Sequence, residues 1–409
     1  MNRYSTIVFY FPYREVGGVS VLFLRLAQML SKSYEVILMD FNDGYMARNL
    51  PKNVKFVEFD KPELLPENSI LVVQSIPLWR IPHIESFPLD ISIFYWNLHP
   101  DNLYPGMMPE NPARKNYRWI APLVNSLSLI RKKKIQKMLL SLERNKAIAF
   151  MDLENKSKTY GFFHKNQDDS LYLPIMTGYE NLQYRCDGPV DEVKCLWIGR
   201  LESFKIPILM HTINRLSECS QNVTLTIIGD GMSAEIVKDF ASQYKNFCCN
   251  FVGTIPFQVL DDYISSYHIV FSMGTSALEG AKNRIPTFCL DYSYQKINGL
   301  YRYKYIFEAN EYNVGEEITT DHLEVKSTIS EKIDDIVNNY SYYSNECYEY
   351  WKKNHSPETI SIRFIEYIES STCKLHDLIS LGVSREDILT KLVLKLHHPI
   401  DKLSGFVSR

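Results

Sequence analysis

Short apolar runs alternate with longer segments of helical periodicity along most of the chain. Eleven runs of six to eight residues are rich in β-branched and aromatic side chains. In chain order they are STIVFY, EVILMD, VKFVEF, SILVVQS, ISIFYW, KAIAFMD, EVKCLWIG, VTLTIIG, CNFVGT, HIVFSM and PTFCLD. Between them, segments such as VSVLFLRLAQMLSK and IPILMHTINRLSEC carry apolar residues at helical spacing. Nearly continuous apolar strands separated by helices are typical of parallel sheets that are covered on both faces.

The alternating pattern occurs twice, and the two series meet near YRCDGPVDE, residues 184–192. Because 409 residues exceed what one hydrophobic core usually organises, we expect two domains. We predict an α/β fold of two Rossmann-like, doubly wound parallel-sheet domains that face a cleft, 1–186 and 187–345. A segment of C-terminal helices, 346–409, is predicted to pack partly back on the first domain. The pattern is helical from about residue 327, and Ser356-Pro357 predicts a helix start.

Composition narrows the class of protein. Apolar residues make up 45% and charged residues 23% of the chain, and the net charge is −3, which gives no indication of nucleic-acid binding. No apolar run reaches the roughly 18 residues that span a bilayer, and the N-terminus lacks the pattern of a signal peptide. The eight cysteines all follow residue 185 without a C-x-x-C pair, so we expect reduced thiols in a cytoplasmic protein.

The loops that follow the strands are the places to look for chemistry, because open parallel sheets bind ligands there. Gly17-Gly18 lies between the first strand and its helix. Glycines let a ligand approach the backbone, and the helix N-terminus attracts an anion, although an ordinary tight turn explains the pair equally well. The loop is not the G-x-G-x-x-G motif of dinucleotide-binding domains, which argues against a nicotinamide enzyme.

Two loops of the second half carry charge or glycine. Arg200 follows a strand directly and Lys205 opens the next helix, so that together they could neutralise a diphosphate. The alternative is a solvated basic pair at a strand end. The next strand ends in Gly229-Asp230-Gly231, where Asp230 is expected to serve as a turn or cap residue.

The stretch SMGTSALEGAKNRIP, residues 272–286, places one carboxylate among small and apolar residues. Gly274 would let a phosphate or sugar approach the backbone. The carboxylate of Glu279 could accept one hydrogen bond on each oxygen from the two hydroxyls of a ribose. The alternative is a surface glutamate that the helix dipole favours near a helix N-terminus.

The order and spacing of these motifs resemble the retaining glycosyltransferases of the GT-B fold (glycosyltransferase family 4-like, group 1). The segments that carry the resemblance are GGVSVLFLRLAQML, IGRLESFK, IIGDG and VGTIPFQVLDDYISSYHIVFSMGTSALEGAKNRIP. It covers nearly the whole chain and is strongest over 193–291. The family assembles lipopolysaccharide, capsule and glycolipids. The resemblance therefore implies transfer of a sugar, of hexosyltransferase type, from a nucleoside-diphosphate sugar to a glycan or lipid-linked acceptor, without a cofactor.

The resemblance also implies a donor site. In the family a Gly-Gly loop and an Arg–Lys pair hold the donor diphosphate, and a glutamate binds the ribose. The donor-binding residues predicted here are Gly17, Gly18, Arg200, Lys205, Gly229, Gly253, Gly274, Thr275, Ser276 and Glu279. Recognition of the base is expected to depend on backbone groups around Val252–Thr254.

One position departs from the family pattern. The family usually carries a further glutamate, eight residues before the ribose-binding one, that faces the transferred sugar. Here that position is Phe271. Either another group contacts the sugar, or this subgroup handles it differently.

The segment FYWNLHPDNLYPG offers candidates for the acceptor side, since aromatic faces and polar tips suit a sugar. The predicted acceptor-binding residues are Trp96, Asn97, Asp101 and Tyr104. The resemblance implies that His99 lies near the reacting sugar, so we predict that it acts in catalysis with Arg200 and Lys205. A structural histidine is the alternative for His99, and Asp101 is the candidate base if the enzyme inverts the anomeric centre.

Residues 131–146, RKKKIQKMLLSLERNK, predict a basic amphipathic helix. Its apolar stripe consists of Ile135, Met138, Leu139 and Leu142, with lysines around it. Such a helix can lie on an anionic membrane, and enzymes of this type often act on lipid-linked acceptors. We therefore predict a cytoplasmic protein with peripheral contact to the inner membrane; a core-packed helix with a solvated basic face is the alternative. DILTKLVLKLHHPIDKL, residues 387–403, is a second candidate for membrane contact or partner helices.

The sequence contains no D-x-D metal motif, so we predict a metal-independent enzyme whose own cations and helix dipoles stabilise the departing diphosphate. With retention of configuration, the donor phosphate itself would take the acceptor proton. A sugar-nucleotide epimerase would need acidic and histidine groups that the sequence does not place. A non-enzymatic alternative is a catalytically silent scaffold that binds nucleotide or glycan in an assembly complex. The phenylalanine at position 271, where the family usually has a glutamate, favours this alternative.

Overall fold

A computed structural model describes residues 3–103, 129–163, 170–180, 188–189, 191–323 and 327–385. The chain divides into two compact units, Met1–Ile175 with Ile360–Arg409, and Met176–Thr359. The first unit thus ends before the predicted residue 186, and the C-terminal segment rejoins it later than residue 346. The difference arises because Thr177 already belongs to the second unit, where its hydroxyl accepts a hydrogen bond of 2.7 Å from Trp351 Nε1.

The first unit is built on a seven-stranded sheet in the order β3-β2-β1-β4-β5-β6-β7, and all of its strand pairs are parallel. Its strands are β1 (Thr6–Tyr10), β2 (Glu35–Asp40), β3 (Lys55–Glu58), β4 (Ser69–Gln74), β5 (Ser92–Asn97), β6 (Ile148–Phe150) and β7 (Leu171–Tyr172). In the interior strand β1, Val8 lies opposite Ile37 on one side and Leu71 on the other. Apolar residues on both faces of this sheet are buried, because helices cover it.

Helices of the first unit come from both ends of the chain. They are α1 (Gly18–Leu30), α2 (Tyr45–Arg48), α3 (Leu129–Arg144) and α4 (Leu153–Phe163), together with most of α11 (Pro357–Ser370) and α12 (Leu375–Ser380). Short 3₁₀ helices cover Pro62–Leu64, Leu78–Arg80, Ile84–Ser86 and Pro100–Leu103. The predicted start of α11 is confirmed: Ser356 Oγ accepts a hydrogen bond of 3.3 Å from Thr359 N.

The second unit contains a six-stranded sheet in the order β10-β9-β8-β11-β12-β13. The strands are β8 (Val193–Ile198), β9 (Val223–Ile228), β10 (Cys248–Gly253), β11 (Ile269–Ser272), β12 (Thr287–Cys289) and β13 (Lys304–Tyr305). All pairs are parallel except β12 with β13. The strand order reverses between β8 and β11, which is where open sheets of this kind place their ligands.

Helices cover this second sheet as well. They are α5 (Ile206–Ser217), α6 (Ala234–Ala241), α7 (Phe257–Ile264), α8 (Thr275–Lys282), α9 (Ile329–Asn338) and α10 (Tyr340–His355), with 3₁₀ turns at Ile306–Glu308 and Thr320–Leu323. Residues of β8 alternate between the two faces: Trp197 packs with the α5 and α6 side, and Leu196 with the α7 side.

The predicted fold class is confirmed: two α/β units with parallel sheets are followed by a helical region. Each of the eleven predicted strands is present, and the structure adds β7 and β13. Within the described part of the chain, no helix is long and apolar enough to cross a membrane.

Candidate functional site

The loops after β8 and β9 are held together as one surface at the carboxyl edge of the second sheet. Gly199 N donates to Ile228 O at 3.0 Å, and Leu201 N donates to Asp230 O at 2.9 Å. A Cβ at Gly229 would lie only 2.0 Å from the carbonyl oxygen of Gly199, so only glycine fits there. Gly229 N in turn donates to Gly253 O at 2.8 Å, which adds the end of β10 to the same surface.

Lys205 lies directly beside this surface, at the N-cap position of α5. Its Nζ is 3.5 Å from the position that a Cβ would occupy at Gly199. Burial lowers the pKa of Lys205, and the charge of nearby Arg200 lowers it further. Among the described residues, no carboxylate forms an ion pair with Lys205. Arg200 is exposed and lies 3.6 Å from Glu202 Oε1.

The N-terminus of α8 adds free amides to this edge of the sheet. Only Met273 and Gly274 connect β11 to α8. Gly274 has φ +64°, a conformation that favours glycine, and its amide donates to Val314 O at 2.6 Å. Thr275 and Ser276 are the first two residues of α8, so their amides lack an intrahelical carbonyl partner. The arrangement can accept an anion.

Glu279 is buried in an ion-pair network and is not a surface residue. It occupies the fifth position of α8 and is only 4% exposed. Its Oε2 lies 2.6 Å from Lys282 Nζ, which also lies 2.8 Å from Asp261 Oδ1. The alternative of a surface glutamate at a helix N-terminus is therefore wrong. The predicted contact of Glu279 with a ribose stays a prediction.

Phe271 belongs to the hydrophobic core of the second unit. It lies within β11, is fully buried and stacks on Phe288 with ring centroids 5.1 Å apart. The position eight residues before Glu279 thus points into the core. The side chain at this position is therefore not available to a ligand.

A charge network that the sequence analysis missed lies after β12. Lys304 Nζ lies 3.2 Å from Asp291 Oδ2 and 3.1 Å from Glu316 Oε1, and His322 Nε2 is 3.1 Å from the same oxygen of Glu316. Three potential metal ligands, from Asp291, Glu316 and His322, lie within 4.8 Å of one another. The Lys304 ammonium pairs with both carboxylates and His322 contacts Glu316, so we assign the cluster as a salt-bridge network.

This network makes a testable contribution to stability. The hydrogen bond to Glu316 raises the pKa of His322, and the same contact lowers the pKa of Glu316 to about 2. Because the pKa of His322 is higher in the folded protein, protonation of this histidine stabilises the fold. The stabilisation is complete at pH values below the unfolded-state pKa of roughly 6.5 and disappears as the pH rises through the folded-state pKa. We therefore expect His322→Gln to lower the melting temperature at about pH 6 and to have little effect at about pH 9.

Melting curves across this range, with the exposed His376→Gln as control, check the expectation. A loss of stability in His322→Gln that is the same at both pH values would contradict it.

In the first unit, the Gly17-Gly18 loop is anchored by a residue that the sequence analysis missed. Gly17 is the N-cap of α1. Asp40, fully buried at the end of β2, accepts hydrogen bonds from Tyr13 N at 2.8 Å and Met46 N at 2.9 Å. Burial raises the pKa of Asp40, while these backbone donors oppose the shift. Asp40 thus holds the segment that leads into the glycines.

Two predicted acceptor residues are structural instead. Trp96 and Asn97 are fully buried in β5. Trp96 Nε1 donates to Leu173 O at 2.8 Å, and Asn97 Nδ2 donates to Thr159 Oγ1 at 3.1 Å. Because β5 pairs on both sides within the covered sheet, these side chains cannot reach an acceptor, and their assignment is wrong.

The remaining acceptor candidates follow β5. His99 is exposed, as a residue that contacts a ligand should be. Asp101 lies in the 3₁₀ helix Pro100–Leu103. Tyr104 lies outside the described residues.

The predicted basic helix is present as α3, but its apolar stripe is not available to a membrane. Ile135, Met138, Leu139 and Leu142 are all 0% exposed and belong to the core of the first unit. The alternative of a core-packed helix with a solvated basic face is therefore the one that the structure supports. The second candidate, 387–403, lies outside the described residues.

Comparisons with known proteins identify the fold. No model of a known protein family matches the chain, and no curated protein sequence matches it. Solved structures do match. A glycosyltransferase from Rickettsia africae ESF-5 aligns with a TM-score of 0.59 and 14% identity over 90% of this chain and 99% of that one.

Two further matches cover nearly whole chains. Anabaena Alr3699/HepE in complex with UDP aligns with a TM-score of 0.55 and 14% identity over 89% of this chain and 100% of that one. The lipopolysaccharide outer core galactosyltransferase WaaB, in its apo form, aligns with a TM-score of 0.54 and 13% identity over 89% of this chain and 99% of that one. The predicted GT-B fold is thereby confirmed, and the structural neighbours are glycosyltransferases.

Proposed function

We propose that the protein is a glycosyltransferase of hexosyltransferase type that uses a nucleoside-diphosphate sugar. Its acceptor is a glycan or a lipid-linked glycan in the biosynthesis of lipopolysaccharide, capsule or another polysaccharide. The observation that carries the proposal is the half-buried ammonium of Lys205, which lies at the carboxyl edge of the second sheet without an anionic partner among the described residues. A partly desolvated cation in that position favours an anionic ligand, and the diphosphate of a sugar donor would supply one.

The surroundings of Lys205 suit a leaving diphosphate. The guanidinium of Arg200 is exposed beside it, and the N-terminus of α8 presents the amides of Thr275 and Ser276 at the end of the neighbouring strand. Donors that are fixed before the reaction stabilise charge that develops on the leaving group. Protein cations and helix amides would therefore do what a metal ion does in other transferases, and no cofactor is proposed.

The neighbours support this substrate class. HepE is described in complex with UDP, and WaaB is a galactosyltransferase of the lipopolysaccharide outer core. By analogy, we propose a nucleotide-sugar donor and a glycan acceptor for this chain. We further propose retention of the anomeric configuration, in which the donor phosphate takes the acceptor proton and no side-chain nucleophile is needed. In this scheme His99 lies near the reacting sugar. If the enzyme instead inverts the anomeric configuration, Asp101 is the candidate for the general base.

A binding screen tests the donor class. We expect one of UDP, GDP, ADP or CMP, or its sugar, to raise the melting temperature, because a ligand at about 100 times its Kd adds about 2.7 kcal/mol of stability. Glu279→Gln keeps the volume of the side chain but removes a charged acceptor, so it should weaken that nucleotide about tenfold or more. Glu235→Gln, on the exposed face of α6, is the control.

Two results would contradict the proposal. One is the absence of any nucleotide response from the folded protein. The other is an unchanged affinity in Glu279→Gln, which would remove the ribose assignment.

A catalytically silent scaffold is the second candidate, and Phe271 is the observation that favours it. Its burial in the core leaves the short β11–α8 connection without a carboxylate that could face a sugar. Such a scaffold would bind the nucleotide sugar without releasing nucleoside diphosphate, which separates it from the enzyme.

Peripheral membrane contact is a further proposal, and the outward face of α3 supports it. Lys133, Lys137 and Arg144 are exposed there. Each basic residue near an anionic membrane contributes about 1 kcal/mol, so three of them give a weak, salt-dependent attraction.

A further inference from the structure

A buried indole beside Lys205 lacks a hydrogen-bond acceptor. Trp197 is the fifth residue of β8 and is 1% exposed. Its Nε1 has no hydrogen-bond partner among the described residues. Trp351 shows the ordinary arrangement, since its Nε1 donates to Thr177 Oγ1 at 2.7 Å. Because an unsatisfied buried donor is costly, the indole of Trp197 points to an acceptor that binds there.

The geometry at Gly199 indicates where that acceptor lies. The position that a Cβ would occupy at Gly199 is 3.6 Å from Trp197 Nε1 and 3.5 Å from Lys205 Nζ. Apart from Gly199 and its two chain neighbours, no other atom of the described residues lies within 4 Å of that position. The missing side chain of Gly199 thus leaves an open space that two donors flank. A ligand oxygen that enters this space would lie in van der Waals contact with the glycine, farther out than the Cβ position, where both donors could turn toward it.

The chemistry of the two donors defines the acceptor. Lys205 carries a positive charge without an ion-pair partner in the described part of the chain, whereas Trp197 supplies a neutral, rigid donor. An anionic oxygen satisfies both groups at once, and its charge strengthens both hydrogen bonds. A water molecule would satisfy the indole but would add no counter-charge for the ammonium, which shares the carboxylate of Glu202 with Arg200.

We propose that Trp197 Nε1 and Lys205 Nζ together bind one oxygen of a phosphate group above Gly199. This inference rests on the proposed function in one respect, namely that the phosphate belongs to the diphosphate of a sugar donor. Trp197 is then a binding residue for the donor, although it looks like an ordinary core residue of the sheet.

The test compares Trp197→Phe with Trp351→Phe, since both keep an aromatic ring and remove one indole N–H. Calorimetry measures the Kd of inorganic pyrophosphate and of the nucleoside diphosphate that stabilises the protein, and melting curves report folding. We expect Trp197→Phe to bind both probes about tenfold more weakly and to lose only the stability that its smaller ring costs in the core. Trp351→Phe should melt lower than Trp197→Phe, because it also loses the hydrogen bond to Thr177, and should keep its affinity.

A second readout observes the indole directly. The chain contains five tryptophans, and Trp197→Phe identifies the indole N–H signal of residue 197 in a ¹H–¹⁵N spectrum. Addition of pyrophosphate to the wild type should move this signal downfield, as expected for a proton that enters a charge-assisted hydrogen bond.

The outcomes are distinguishable. Unchanged affinity in Trp197→Phe, together with an indole signal that does not move, would overturn the inference and leave the proposed function intact. An equal loss of affinity in Trp351→Phe would also overturn it. A wild type that binds pyrophosphate through Trp197 but binds no nucleotide would support the phosphate site and overturn the proposed function.

Discussion

Replacement of Lys282 by alanine is expected to lower the free energy of unfolding by about 3–5 kcal/mol. The Lys282 side chain is 1% exposed and lies between two carboxylates, 2.6 Å from Glu279 and 2.8 Å from Asp261. Its removal leaves Glu279, itself buried, without the cation that compensates its charge. Such an uncompensated charge costs far more than the lost contact of a surface pair. Denaturant unfolding of the folded variant measures the effect.

The chain offers a matched control. Lys238 and Glu235 form a pair with the same i, i+3 spacing and a distance of 2.8 Å, but both side chains are exposed. Lys238→Ala should therefore change the free energy of unfolding far less than Lys282→Ala does, because water screens the exposed pair. A further test replaces Lys282 by methionine, which removes the charge but fills the space. Adding Glu279→Gln and Asp261→Asn to Lys282→Met neutralises both carboxylates and should restore part of the lost stability. A cost in Lys282→Ala no larger than that of Lys238→Ala would contradict the account.

Replacement of Lys205 by alanine is expected to reduce kcat/KM for the donor by about 10²–10³-fold, or roughly 2.7–4 kcal/mol, as the loss of a preorganised charge-stabilising donor does in other enzymes. Lys205 is half-buried and has no carboxylate partner among the described residues, so its charge is available to the leaving diphosphate. Steady-state kinetics and the Kd of the nucleoside diphosphate measure the loss.

Lys194→Ala is the matched control for this experiment, because Lys194 lies on the same strand, β8, but is exposed and near the opposite end. It should leave the kinetics unchanged. Wild-type kinetics in Lys205→Ala would remove the diphosphate assignment altogether.

Much of the fold could be predicted because the physical signal is local. Strands that are buried on both faces need apolar residues at almost every position, and runs such as SILVVQS and VTLTIIG meet that need within a few residues. The missed strands, β7 and β13, contain two residues each. So short a segment has no pattern of its own, and its pairing depends on the neighbouring strand.

Those parts of the candidate site that lie within a single loop could be predicted from the sequence of that loop. The glycine at 229 can be read from its turn sequence, and the structure adds the reason: a side chain would collide with Gly199. The network of Asp291, Lys304, Glu316 and His322 could not be read, because its members are far apart in sequence and meet only through the fold. Asp40 and Trp197 were missed because each looks like the end of an ordinary buried strand.

Amphipathic patterns mislead in a different way. The apolar stripe of α3 has the same spacing whether it faces a membrane or a protein core, and the structure shows that it faces the core. Trp96 and Asn97 are polar-tipped residues that suit a sugar, yet both are fully buried, and their nitrogen donors already bind Leu173 and Thr159. The type of a side chain determines what it can bind, but only the fold determines whether the side chain is accessible to a ligand.

The central claim is that this chain transfers a sugar from a nucleoside-diphosphate donor. The most direct measurement is to incubate the full chain with the sugar nucleotide that stabilises it, radiolabelled in the sugar, with and without a mixture of glycan and lipid-linked acceptors. The account predicts that nucleoside diphosphate and labelled acceptor appear in equal amounts, and only when an acceptor is present. Donor that binds but remains intact with every acceptor would contradict the account and identify the protein as a silent scaffold.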